Sequence, residues 1–127
     1  MRYLLILSLL LISCTDEDDY HVDPEPDPVT SLTISNQNDV ISIREVSLVG
    51  YEFEDIKIDF GASRTFTLDN GINGGYDGVN VNVKFYCGAR NWNQSVSKDF
   101  VVGENTTITV VDCFPNGQGG CTDVCFQ

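Results

Sequence analysis

Val79-Asn80-Val81-Asn82-Val83-Lys84-Phe85-Tyr86-Cys87 is the stretch that decides the fold class. Val79, Val81, Val83 and Phe85 are separated by Asn80, Asn82 and Lys84, and Cys87 continues the apolar phase. Successive side chains of a strand point to opposite faces, so this spacing buries one face and solvates the other. A surface helix needs apolar repeats of three and four residues. No window of the chain sustains them.

The same period recurs along the chain. Leu32 alternates with Ile34, Ile41 with Ile43, Ile56 with Ile58 and Phe60, Phe66 with Leu68, and Ile108 with Val110. Ile41 and Ile43 are odd-numbered, whereas Val46 and Leu48 are even-numbered. A one-residue slip sends side chains to the opposite face, so a bulge near Arg44-Glu45 is expected. Asn70-Gly71, Asn73-Gly74-Gly75 and Asp77-Gly78 make residues 69–78 a loop between strands. Gly103-Glu104-Asn105 reads as a tight hairpin joining strands 96–102 and 106–112. Short strands at this spacing predict an all-β domain, a small antiparallel sandwich of immunoglobulin-like type over residues 30–127.

The first 29 residues have a different composition. Leu4 to Ile12 is apolar except for Ser8, follows Arg2, and ends at Ser13-Cys14. A positive start, a short apolar run and a small residue describe a secretory signal over residues 1–13. The run has about half of the ~20 apolar residues needed to span a bilayer. Residues 14–29 then carry seven carboxylates with no Lys or Arg, and Pro24, Pro26 and Pro28. Like charges repel and proline favours polyproline II, so the segment reads as a solvated tether reaching roughly 45 Å.

Leu11-Ile12-Ser13-Cys14 resembles the lipobox of bacterial lipoproteins. The resemblance implies cleavage before Cys14 and diacylglycerol and palmitate chains on that residue. One chain holds a protein to a membrane only marginally, and two or three make a lasting anchor. The acid cluster after Cys14 resembles the signal that sends many Bacteroidota lipoproteins to the outer face of the outer membrane. The expected location is therefore the outer membrane, at the cell surface or else on its periplasmic face. Residues 30–112 also look like the small β-sandwich domains common on such lipoproteins, a likeness that brings no functional residues.

Charge narrows the partners. Of the chain's 19 acidic and 7 basic residues, seven acids and Arg2 precede residue 30, leaving twelve acids against six bases beyond it. Nucleic acid and anionic head groups both want a basic face, so neither is expected. With Cys14 set aside, Cys87, Cys113, Cys121 and Cys125 read as two disulfides of an exported domain. A zinc site is the rival, but the C-x7-C and C-x3-C spacings miss the usual knuckles. If strands 96–102 and 106–112 run antiparallel, Cys87 and Cys113 share one end of the sandwich, leaving Cys121 with Cys125. Against this, Cys113 is out of phase with Ile108 and Val110, so its pairing with Cys121 or Cys125 stays open.

No catalytic machinery stands out and no cofactor is expected. His21, the single histidine, lies in the tether, which removes Ser-His and Cys-His arrangements from the domain. Glu52, Glu54 and Asp55 are the carboxylates a small hydrolase would use, in a stretch that also reads as a solvated turn. Asp69, Asn70, Asn73 and Asp77 are loosely calcium-like, but hairpin chemistry accounts for them and the EF-hand spacing fails. Trp92 is expected between strands, where Asn91 and Asn93 flank it as in a sugar-stacking site. The leading expectation is a non-enzymatic binding or structural accessory module meeting an envelope protein, another extracellular macromolecule or a glycan. A carbohydrate-binding module using Trp92 is the alternative.

Overall fold

The computed structural model describes residues 24–25, 28–114 and 119–127. The signal, Cys14, His21 and most of the tether lie outside them. The described chain forms eight strands: β1 Ser31–Asn36, β2 Ser42–Leu48, β3 Tyr51–Phe53, β4 Ser63–Thr67, β5 Val79–Cys87, β6 Arg90–Lys98, β7 Asn105–Asp112 and β8 Val124–Phe126. They make two four-stranded sheets, in the orders β4-β1-β7-β8 and β3-β2-β5-β6. Among the described residues there is no helix. The all-β sandwich is as the alternation requires, although β1 and β7 run parallel while every other strand pair is antiparallel.

One core lies between the sheets. Val81, Val83 and Phe85 of β5 meet Leu32 and Ile34 of β1 and Ile108 and Val110 of β7, all essentially inaccessible to water. Each such side chain contributes about 1.5–3 kcal/mol of transfer free energy. The phase slip in β2 is a bulge. Ile43 pairs with Phe85 and Glu45 with Lys84, leaving Arg44 as the extra residue, and Ile43 and Val46 both point inward.

Of the expected 96–102 strand only Val96–Lys98 are extended, as the end of β6, and the hairpin at Gly103-Glu104-Asn105 is not present. β6 ends at Lys98 on the edge of one sheet, and β7 lies inside the other. Residues 99–104 cross between them. Phe100 plugs the core at 3 % exposure, while Val101 and Val102 stand 55 % and 65 % exposed, so this apolar triplet is a crossover. The Gly103 N–H donates to Thr30 Oγ1 at 2.8 Å and the Ser31 N–H to the Glu104 carbonyl at 3.1 Å, steering the chain alongside β1.

A two-residue hairpin joins β5 to β6 through Gly88-Ala89. Both have positive φ, 56° and 69°, the conformation of a type I′ turn whose twist suits two paired strands. Trp92 therefore lies within β6, opposite Phe85, and not between strands.

The disulfides are Cys87–Cys121 and Cys113–Cys125, with Cα separations of 5.7 and 5.0 Å. The Cys87–Cys113 pairing fails with the hairpin on which it rested. The missing element was β8. It pairs with β7 so that Val111 faces Cys125, which makes Cys113 the diagonal neighbour of Cys125. The Cys113 N–H donates to the Asp123 carbonyl at 2.9 Å and prolongs that ladder. Cys121 is carried back towards the β5–β6 turn, where Cys87 ends its strand.

Candidate functional surface

Antiparallel register aligns the solvent-side residues of the β3-β2-β5-β6 sheet into rows. Glu45, Lys84 and Asn93 form one; Ser47, Asn82 and Ser95 form the next; Tyr86 and Asn91 form a third. These are the polar positions of the same alternation that builds the core. The outer face is consequently an array of amides, hydroxyls and charges.

Lys84 anchors it. Its Nζ donates to Glu45 Oε2 at 2.5 Å, and that hydrogen bond holds the ammonium pKa above the ordinary lysine value. Glu52 and Glu54 bring carboxylate oxygens to Glu45, with one oxygen of each lying within 4.8 Å of the others. The β2–β3 connection accounts for the convergence, because Glu52 faces Ser47 and Glu54 follows on the same side of the strand. An open groove of about 500 Å³ runs beside the cluster, lined by Arg44, Glu54, Asp55 and Lys57 as well as Glu45 and Lys84. The bulge turns the Arg44 guanidinium towards the exposed Tyr86 ring, 5.9 Å from its centroid.

Such a surface attracts cationic and hydrogen-bonding groups. Among the described residues, Glu45, Glu52 and Glu54 are the group that could hold a metal ion, but the Lys84 ammonium already supplies the cation at Glu45. Of the hydrolase carboxylates, Glu52 and Glu54 belong to this cluster, while Asp55 lines the groove on a turn with φ 53°. Lys84 and Tyr86 carry no motif, and their signal in the sequence is the outward phase of the strongest strand; Glu45 lies beside the expected bulge in β2.

The calcium candidates have another organisation. Asp69 and Asp77 do not join the convergent carboxylates. Their loop is tied down by tyrosines: Tyr51 Oη donates to the Gly71 carbonyl at 2.9 Å and accepts the Asn70 N–H at 3.0 Å. The Gly78 N–H donates to Asp99 Oδ1 at 2.7 Å, and Ile72 is buried beneath. Asn73 and Asp77 line a depression of about 340 Å³ at the end of the sandwich.

Trp92 and its flanking amides point in opposite directions. Trp92 is half-buried against the core, and its Nε1–H donates to the Cys87 carbonyl at 3.3 Å. Asn91 and Asn93 are exposed on the outer face. The three do not form one site.

No protein-family model, curated protein or solved structure matches the chain.

Proposed function

We propose that this chain is an exported, lipid-anchored envelope lipoprotein whose sandwich serves as a binding or structural accessory module and not as an enzyme. The observation that carries the reading is the cysteine partition. Cys87, Cys113, Cys121 and Cys125 are paired among themselves, so Cys14, directly after the apolar run, stands outside the disulfide set. Two structural disulfides in a small domain suit an oxidising compartment. A lipobox cysteine suits attachment to the outer membrane, and the acids that follow suit display at the cell surface. The polar outer face offers a broad recognition surface, in keeping with an envelope protein or glycan as partner.

Fractionation tests the anchor. Cys14→Ser should move the protein from the membrane to the soluble fraction, and the unaltered protein should incorporate radiolabelled palmitate. Protease added to intact cells should degrade the domain; survival until the envelope is broken would place it on the periplasmic face.

A further inference from the structure

We propose that the free edge of β6 binds an acidic, extended segment of a partner polypeptide by strand addition. The inference rests on the binding-module reading and names its partner chemistry.

β6 is the longest edge strand, Arg90–Lys98, and it is paired only with β5 among the described residues. Its nine residues stay in unbroken register with β5, with no bulge, and include no proline. Between Arg90 and Lys98 there is no charged side chain. Edge strands are commonly blunted by charges, proline or bulges because an open row of amides and carbonyls is a template for another strand. β6 has none of these in its centre. By contrast, β3 and β8 are three residues long and β4 is five.

The turn fixes which groups are available. In a two-residue type I′ hairpin the flanking residues, here Cys87 and Arg90, exchange both backbone hydrogen bonds. Alternation then commits Arg90, Trp92, Gln94, Val96 and Lys98 to β5. The amides and carbonyls of Asn91, Asn93, Ser95 and Ser97 face the open edge. Trp92 and Gln94 are held from beneath, the first by its bond to the Cys87 carbonyl and the second by Nε2 donating to the Val124 carbonyl at 3.0 Å. The strand is thereby set in place before a partner arrives.

Charge specifies the occupant. Of the six cations in the domain, Lys57 and Lys84 are ion-paired, and Arg44 and Arg64 lie over aromatic rings. Arg90 and Lys98 make no ion pair among the described residues, in a chain of net charge −12. They sit eight residues apart, on one side of the strand, at its two ends. A second copy of β6 added antiparallel would set Arg90 against Lys98 twice, and like charges opposite one another destabilise a pair. An incoming strand with carboxylates eight residues apart meets both cations in either orientation. β-Sheet closure supplies affinity, and the end charges supply selectivity.

The test uses the full-length purified chain and two nine-residue peptides. One is Glu-Thr-Val-Thr-Val-Thr-Val-Thr-Glu, and the other has Lys at both ends. The acid-ended peptide should bind roughly tenfold more tightly, as two exposed ion pairs against two repulsions allow. It should slow hydrogen exchange at the Asn91, Asn93, Ser95 and Ser97 amides and leave the already bonded Trp92, Gln94 and Val96 amides unchanged. Asn93→Pro removes one edge donor without touching the β5 ladder and should abolish binding. Arg90→Glu with Lys98→Glu should reverse the peptide preference. Equal binding of both peptides, an unchanged preference in the charge-reversed variant, or protection elsewhere overturns the proposal. Self-association through β6 also overturns it. A partner captured on the outer face with β6 silent overturns the edge proposal while the binding-module reading stands.

Discussion

The Asn36 side-chain amide donates to the Ile58 carbonyl at 3.0 Å from a position with no solvent exposure. The same Nδ2 donates to the Ile41 carbonyl at 3.0 Å, and Asn36 Oδ1 accepts the Asn38 N–H at 3.0 Å. One polar side chain at the end of β1 therefore satisfies backbone groups of the β1–β2 connection and of Ile58, which bridges to Ile43 from the β3–β4 connection. Asn36→Leu should cost about 2–4 kcal/mol, because the Ile41 carbonyl and the Asn38 N–H lose their partner at once, while the Ile58 carbonyl keeps only the Ile43 N–H. Urea titration of the variant checks this; a loss within 0.5 kcal/mol, the ordinary surface range, would show the network to be dispensable.

The disulfides should differ in worth. Cys87–Cys121 spans 34 residues and Cys113–Cys125 spans 12. Loop-closure entropy gives about 4 kcal/mol for the longer bridge and about 3 kcal/mol for the shorter. Paired Ser substitutions, unfolded in denaturant, measure each. Peptide mapping without reduction should recover the same two connectivities, and a Cys87–Cys113 fragment would contradict the arrangement of β8 against β7.

Ala89 holds φ 69°, a conformation that costs a residue with a Cβ. Ala89→Gly should stabilise the chain by about 0.5–1 kcal/mol, since glycine takes this turn without the steric cost. Thermal unfolding should show a raised midpoint. A lowered midpoint would mean that chain entropy in the unfolded state outweighs relief of the turn.

Stability should depend on pH at two side-chain pairs. The Lys84 pKa is raised, chiefly by its hydrogen bond to Glu45, so its contribution is full below 10.5 and lost as pH climbs through the higher folded value. The Asp59 pKa is lowered, chiefly by the Ser42 hydroxyl donating at 2.6 Å. That contribution is present above 3.8 and lost as pH falls through the depressed value. Lys84→Met should flatten the alkaline limb of a plot of Tm against pH, and Ser42→Ala the acid limb. Limbs that match those of the unsubstituted protein would remove these pairs from the account.

What the sequence determined by itself is local. Alternation at Val79–Cys87 specified an inward face, and the change of phase after Ile43 specified a bulge, because side-chain direction follows from position along a strand. The site was less legible. Asn91 and Asn93 flank Trp92 in the sequence, yet neighbours along a strand face opposite ways, so these amides join Lys84 and Tyr86 instead. Tertiary structure alone decided the sheet orders, the crossover at Phe100 and the partner of each cysteine. The short turn at Gly88-Ala89 is a weaker local signal than the Asn-Gly and Asp-Gly pairs of residues 69–78, and β8 is a three-residue strand. Neither element carries enough pattern to be read in isolation. Their places are set by what they pack against: Val124 seals the core beneath Gln94, and only then do Cys113 and Cys125 fall within bonding distance.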